Sequence, residues 1–328
     1  MADHPKILVT QRVPDPAYPL LEAIGMVERN EVQGNIWSYD ELLQRGPGHD
    51  YVYSLLTDTI DARFLETCAA ATPRLRMVAN MAVGYNNIDI AAATRLGIAV
   101  SNTPGVLSDT TADLAFALLM SVARRIPEAE RFLRAGKFTG WGPLLFCGAE
   151  VSHATLGLIG AGRIGCLVAR RAMGFDMTVL YYNRTRMARE DERLYNVTYM
   201  PLNELLAQSD FVSIHVPYSA ATHHMIGERE LHRMKSTAFL INTARGPVVD
   251  EKALVKALQE GEIAGAGLDV FENEPAVEPA LLEMENVVLL PHIASASLQT
   301  RTRMATMACE NIIAYHSGQR PPNILNPV

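Results

Sequence analysis

The sequence predicts an α/β protein made of two doubly wound, Rossmann-like parallel sheets. Three observations predict it. Short apolar runs alternate with segments of helical spacing through the first part of the chain, as parallel βαβ units do. The alternation breaks at Ser101-Asn102-Thr103-Pro104-Gly105, a turn signal. It restarts around Gly160-Ala161-Gly162-Arg163-Ile164-Gly165, and 328 residues suit about two domains.

Strand-like runs stand at 7–9, 51–54, 75–79 and 98–100, with helical spacing at 16–24, 38–44, 62–68 and 88–96. After the break, Ser108 and Asp109 offer an N-cap to a long apolar helix through Ala123. Its most apolar run, 114–123, is too short to span a bilayer and reads as buried. The stretch 136–148, which holds Trp141 and Pro143, is loop-like. The second block has strands expected at 155–159, 177–182, 211–215, 238–242, 265–268 and 287–290. Its helices are expected at 162–173, 203–208, 228–234 and 251–259. The tail 295–316 is helical, with Met304, Met307, Ala308, Ile312 and Tyr315 as its apolar contacts. No strand is expected after it, so the simplest architecture returns it to the first domain. The expected division is 1–102 with 291–328, and 103–290.

Hydrophobic residues at 48% and charged residues at 20% describe an ordinary globular chain. A net charge of −7 argues against a nucleic-acid partner, which calls for a basic stripe. The four cysteines, Cys68, Cys147, Cys166 and Cys309, form no metal-type spacing and fit a reducing cytoplasm. Met1-Ala2-Asp3-His4-Pro5 runs straight into a strand-like segment without a leader pattern. Neither a metal nor a membrane partner is expected.

The glycine motif follows the apolar run 155–159 and opens a helical segment. Gly160 allows the tight turn, Gly162 lets backbone approach a pyrophosphate, and Gly165 lets helix and strand pack closely. The helix N-terminus at Arg163 and Ile164 offers N–H groups to the anion. The residue after the next strand separates NAD from NADP. An acidic residue there would take the ribose hydroxyls, but the sequence reads Asn183-Arg184-Thr185-Arg186. Asn183 can bond a ribose without repelling a phosphate, and Arg184 can meet a 2′-phosphate, with Arg186 the weaker candidate. NADPH is therefore the expected cofactor, with NADH used less well.

Five segments together make the chain resemble the D-isomer-specific 2-hydroxyacid dehydrogenases, nearest to their glyoxylate/hydroxypyruvate reductases. They are Val83-Gly84-Tyr85-Asn86-Asn87-Ile88-Asp89, the glycine motif, the stretch from Asn242 to Glu251, Gly267-Leu268-Asp269-Val270-Phe271-Glu272, and Pro291-His292-Ile293. The resemblance implies a discontinuous flavodoxin-like substrate domain and an inserted dinucleotide-binding domain. It implies Arg245 as the cation for the 2-keto acid, His292 as the proton donor and Glu274 as the partner of its other ring nitrogen. Arg245 and His292 each follow an expected strand, where ligands of open α/β sheets bind. Glu272, Glu274 and Glu278 compete for the partner's role on spacing alone. The resemblance selects Glu274, the acid before Pro275. It also implies cofactor contacts at Val216, Pro217, Thr222, Thr243, Ala244, Asp269 and Ala294. Asp269 on its own reads equally as a turn cap.

Val83 and Gly84 match a loop whose backbone binds the substrate carboxylate, and Leu55 matches a pocket wall. Trp141 resembles a residue lent to the partner subunit's active site, and reads equally as an interface anchor of a homodimer. Ala294 stands where glycine is usual, Pro247 where glycine or lysine is, and Asp113 where glutamate is. The implied activity is NADPH-dependent reduction of glyoxylate and hydroxypyruvate to glycolate and D-glycerate. A 2-ketogluconate reductase and a dinucleotide-sensing, corepressor-like binding module are the alternatives.

Overall fold

The computed structural model describes residues 4–32 and 34–327. Met1, Ala2 and Asp3, read above for the lack of a leader, lie outside the described residues. In chain order the elements are β1 (Lys6–Val9), α1 (Ala17–Glu22), β2 (Met26–Arg29), α2 (Tyr39–Arg45), β3 (Tyr51–Ser54), α3 (Ala62–Ala70), β4 (Met77–Asn80), α4 (Ile90–Arg95) and β5 (Ala99–Ser101). Then come α5 (Ser108–Ala123), α6 (Ile126–Arg134), β6 (Thr155–Ile159), α7 (Arg163–Ala172), β7 (Thr178–Tyr182), α8 (Arg189–Tyr195), β8 (Val197–Tyr199), α9 (Leu202–Gln208) and β9 (Phe211–Ile214). The chain ends with α10 (Glu228–Leu231), β10 (Phe239–Asn242), α11 (Glu251–Gln259), β11 (Gly265–Leu268), α12 (Pro279–Leu282), β12 (Val287–Leu289) and α13 (Leu298–His316).

The chain divides into two compact units, Met1–Leu107 with Ala296–Val328, and Ser108–Ser295. Pro291 to Ser295 thus go with the second unit. The cause is Asp269, whose carbonyl and carboxylate take the N–H groups of His292, Ile293 and Ala294.

In the first unit the parallel sheet runs β2-β1-β3-β4-β5, a flavodoxin-like order. Helices α2, α3 and α4 start on side-chain caps. Ser38 and Glu41 form a capping box at α2, and Asp61 and Asp89 accept from the N–H groups of Phe64 and Ala92. The tail helix α13 belongs to this unit. Tyr53 donates to the Ala305 carbonyl, and Met304, Ala308 and Ile312 are buried. Met307 and Tyr315, also expected inside, are only half-buried.

In the second unit the sheet runs β12-β11-β10-β9-β6-β7-β8, again all parallel. The strand order reverses between β6 and β9, which makes the point where such sheets bind ligands. The long apolar helix α5 buries Ala112, Ala115, Leu118, Leu119 and Val122. It sits close enough to β11 that a methyl at Gly267 would meet Leu118 at 3.3 Å. Asp113 and Asp109 reach Arg171 and pin α5 to α7. Among the described residues no helix is long and apolar enough to cross a membrane.

Candidate active site

In the second unit the expected residues gather at the C-terminal ends of the strands. The turn from β6 to α7 carries the glycines, and each meets a different constraint. Gly160 has φ +98°, and a Cβ there would lie 2.8 Å from His215 carbon and Val216 nitrogen. A Cβ at Gly165 would lie 2.2 Å from the Gly160 carbonyl, so helix and turn touch. Gly162, the N-cap of α7, faces open space. That is a cradle which a side chain would fill, at a helix start with N–H groups to give. Thr243 Oγ1, at the end of β10, is buried without a partner among the described residues. These features fit a dinucleotide, whose pyrophosphate Gly162, Arg163 and Ile164 would hold.

Asn183 ends β7. Its side-chain amide pairs with the backbone of Ala161, accepting the N–H at 2.8 Å and donating to the carbonyl at 3.4 Å. The asparagine therefore shapes the glycine turn. Arg184 and Thr185 are exposed, and Arg184 forms no ion pair among the described residues. Arg186 is occupied: it forks onto Glu192 at 2.7 and 2.9 Å and lies over the Tyr199 ring. Val216 is half-buried beside Gly160, and Pro217 is exposed. The Thr222 hydroxyl donates back to the Pro217 carbonyl at 2.8 Å, so it braces this loop.

Arg245, Glu274 and His292 follow β10, β11 and β12, three neighbouring strands. The Arg245 turn is built by Asn242, whose side chain accepts from Ala244 N–H and donates to the Arg245 carbonyl, both at 3.0 Å. Pro247 is the second residue of the short 3-10 turn Gly246–Val248 after Arg245, within the first turn, where its missing N–H has no intrahelical partner to lose. Gly246 allows the close approach of the next loop. A Cβ there would lie 1.9 Å from the Phe271 carbonyl group. Two loops touching at backbone distance bring Arg245 within electrostatic range of Glu274. Burial lowers the pKa of the Arg245 guanidinium and Glu274 opposes that shift. One guanidinium nitrogen donates to the Ala244 carbonyl at 2.7 Å.

Glu274 Oε2 lies 2.8 Å from His292 Nδ1, and its Oε1 accepts the Phe271 N–H at 3.0 Å. Burial pushes the Glu274 carboxyl up, but His292, the Phe271 N–H and Arg245 outweigh it and hold the group below its usual value. Of the three competing acids, Glu274 meets the imidazole. Glu272 instead pairs with His224 at 2.7 Å. His292 itself sits at φ +52°, a conformation rarely adopted by residues with side chains.

Asp269 explains how that conformation is held. Its two carboxylate oxygens accept from Ile293 and Ala294, each at 2.7 Å, and its carbonyl accepts from His292 at 2.9 Å. Burial raises the Asp269 pKa, while those two N–H groups and His292 oppose the rise. The aspartate is thus the cap of the histidine turn. Ala294 is buried in this turn, its N–H on Asp269.

Leu55, Val83 and Gly84 belong to the first unit, at the C-terminal ends of β3 and β4. Trp141 stands on the 136–148 loop of the second unit and is 84% exposed. A cavity of about 330 Å³, lined by Arg125, Cys147, Phe239 and Asn286, opens at the opposite edge of that sheet and holds none of the three residues. Asn242, Gly246 and Phe271 carried no assigned role in the sequence. Their signal was present only as neighbours of Arg245 and Asp269 within the quoted motifs.

Residues 116–294 match the family model for the D-isomer specific 2-hydroxyacid dehydrogenase NAD binding domain. The chain is 52% identical to a glyoxylate reductase of Korarchaeum cryptofilum, covering 98% of this chain and 96% of that one. A glyoxylate reductase of Thermococcus litoralis is 46% identical, covering 98% and 97%. Among solved structures, an NADPH-dependent glyoxylate/hydroxypyruvate reductase of Sinorhizobium meliloti, in complex with NADP and malonate, superposes with a TM-score of 0.84. It is 35% identical, with 98% of this chain and 97% of that one covered. A glycine turn at the sheet's switch point, three strand ends that converge on an imidazole–carboxylate pair and a desolvated arginine, and these whole-chain likenesses agree. The chain belongs to the D-isomer-specific 2-hydroxyacid dehydrogenase family.

Proposed function

We propose that the protein reduces glyoxylate and hydroxypyruvate to glycolate and D-glycerate with NADPH. The observation that carries the reading is the Glu274–His292 contact at 2.8 Å, with Arg245 in electrostatic range. Reduction of a 2-keto acid needs a proton at the carbonyl oxygen and a cation for the anionic substrate. A bound reduced nicotinamide supplies the hydride for the carbonyl carbon. His292, its Nδ1 on Glu274, offers the proton from Nε2. Arg245 stays cationic, and its fork orients the acid and polarises the carbonyl. Val83 and Gly84 take the substrate carboxylate with backbone N–H groups, and Leu55 lends an apolar wall.

The cofactor preference rests on the turn after β7, which lacks an acidic residue and leaves Arg184 exposed without an ion partner. The NADP bound to the Sinorhizobium meliloti relative supports the same choice. Asp269, Thr243, Ala244, Ala294, Val216, Pro217, Thr185 and Thr222 complete the proposed dinucleotide contacts. We also propose a homodimer. Leu133, Phe138, Trp141 and Leu144 are between 51% and 84% exposed, an apolar surface that a monomer rarely leaves open. The unpaired cysteines fit the cytoplasm.

Steady-state rates with glyoxylate, hydroxypyruvate, pyruvate and 2-ketogluconate, each with NADPH and NADH, test the reading. Glyoxylate and hydroxypyruvate with NADPH should give the highest kcat/KM. A higher value for 2-ketogluconate, or for NADH, overturns the corresponding part.

A further inference from the structure

Beneath the Val83–Gly84 loop of the first unit lies a set of buried amides. Asn102 Nδ2 donates to the Val83 carbonyl at 2.8 Å, and Asn80 Nδ2 donates to the Gly84 carbonyl at 3.1 Å. Asn80 is fully buried and Asn102 is 6% exposed. Both are themselves fixed. Asn80 Oδ1 accepts from the Ser54 hydroxyl, and its Nδ2 also reaches Asn87 Oδ1 at 3.4 Å. Asn102 donates its N–H to the Asn323 carbonyl and receives Asn311 Nδ2 on its own carbonyl. Asn87 carries the network to the neighbouring loop, donating to the carbonyls of Leu55 and Asp58.

A trans peptide holds its C=O and the following N–H on opposite sides of one plane. The peptides of this loop are trans. Drawing the Val83 carbonyl onto Asn102 therefore turns the Gly84 N–H away from Asn102. Drawing the Gly84 carbonyl onto Asn80 likewise turns the Tyr85 N–H away from Asn80. Neither N–H has an acceptor among the described residues. Gly84 is half-buried and Tyr85 is 45% exposed. Leu55 differs: Asp58 takes its N–H at 2.7 Å and Asn87 takes its carbonyl, so only its side chain remains to be offered.

We propose that Asn80 and Asn102 are positioning residues that aim the Gly84 and Tyr85 N–H groups, as a pair, at the carboxylate of the 2-keto acid. The proposal rests on the activity proposed above and refines its carboxylate contact, pairing the Gly84 N–H with that of Tyr85 in place of Val83. Two adjacent N–H donors on one anion make charge-assisted bonds. Neutral amides suit this place, because an aspartate at either position would set oxygen against the loop carbonyl it now holds. It would also add negative charge near the anion.

The test compares Asn80→Asp and Asn102→Asp with the natural protein. With NADPH saturating, KM for glyoxylate should rise about ten-fold or more in each variant, while KM for NADPH stays unchanged. Melting temperature reports folding, and Asn80→Ala, which removes the donor without adding charge, replaces Asn80→Asp if that variant melts early. A second arm needs no turnover. Oxalate is titrated into deuterated, ¹⁵N-labelled protein. The Gly84 and Tyr85 amide signals should shift in the natural protein, and less in the variants. An unchanged glyoxylate KM in folded variants overturns the proposal, as do Gly84 and Tyr85 signals indifferent to oxalate in the natural protein. If the natural protein turns over no 2-keto acid, the proposed activity fails by itself, and the oxalate arm alone judges the asparagines.

Discussion

Glu274 bridges the Phe271 N–H and His292 Nδ1 with its two oxygens, at 3.0 and 2.8 Å. The bridge fixes which imidazole nitrogen faces outward and places a negative charge behind the ring. Glu274→Gln keeps the shape and removes the charge. It should lower kcat for glyoxylate about 10–100-fold while KM for NADPH holds, since the loss falls on proton transfer. A variant with the natural kcat would remove this pair from the reaction. Because Glu274 titrates below its ordinary value, the bridge should survive mild acid and open only as pH falls past that lowered value.

The glycines divide into those the fold needs and one that it does not. A methyl at Gly246 would collide with the Phe271 carbonyl, and backbone there cannot swing aside cheaply. Gly246→Ala should cost roughly 3 kcal/mol or more and lower the melting temperature. Gly162 faces open space at φ −92°, which alanine adopts readily. Gly162→Ala should melt as the natural protein does but bind NADPH more weakly, read by the fluorescence of the bound cofactor. Equal affinity in that variant would move the pyrophosphate away from this turn.

Arg184 and Arg186 lie two residues apart and do different work. Arg186 is tied to Glu192, whose carboxyl is drawn down to about 2 by Arg186 and the Tyr181 hydroxyl. Arg184 is exposed without such a tie. Arg184→Ala should raise KM for NADPH about ten-fold and leave KM for NADH nearly unchanged. Arg186→Ala should leave the NADPH-to-NADH ratio of kcat/KM where it was. The reverse pattern would hand the phosphate to Arg186.

Much of this site is legible in the sequence because its strands are buried on both faces. Runs such as Phe239–Asn242 and Gly265–Leu268 are short and apolar. The loops after such runs are therefore at a sheet edge, which places Arg245 and His292 where ligands bind, and the family resemblance gives them their roles. The edge strands β2 and β8 escape notice for the opposite reason: Met26–Arg29 is mostly exposed and shows no inward face. Helix α6 carries an apolar stripe at helical spacing, Ile126, Ala129, Phe132 and Leu133, but buries none of it among the described residues. The asparagines are the hardest to read. Asn80, Asn102 and Asn242 act on backbone carbonyls, and Asn102 is held by Asn311, far along the chain. A neutral amide in a loop has no pattern until its partners are in space.

Trp141 and Leu144 are each 84% exposed on one loop, a costly place for large apolar groups unless a second copy covers them. Light scattering of the natural protein should give twice the 36.0 kDa chain mass. Leu144→Glu should shift the population to monomer. Trp141→Ala separates its two roles. A raised KM for glyoxylate in an intact dimer assigns Trp141 to the partner's active site, and a weakened dimer with ordinary KM assigns it to the interface. A natural protein that stays monomeric at micromolar concentration removes both.

His215 ties acid stability to the glycine turn. Its ring lies 3.7 Å from where a Cβ at Gly165 would be, and its Nε2 is 2.9 Å from the Ser213 hydroxyl. Burial lowers its pKa from 6.5 to about 4. Between those values the unfolded chain binds the proton and the folded chain refuses it, so stability is full above 6.5 and declines as pH falls toward 4. The ring keeps some solvent contact, so the loss by pH 5 should be about 1–2 kcal/mol. Urea unfolding at pH 7.5 and pH 5.0 should therefore show a larger drop for the natural protein than for His215→Asn. The other titrating groups are common to both proteins and cancel in that difference. Equal drops would mean that the ring accepts its proton in place, and the glycine turn would then tolerate a charge directly beneath it.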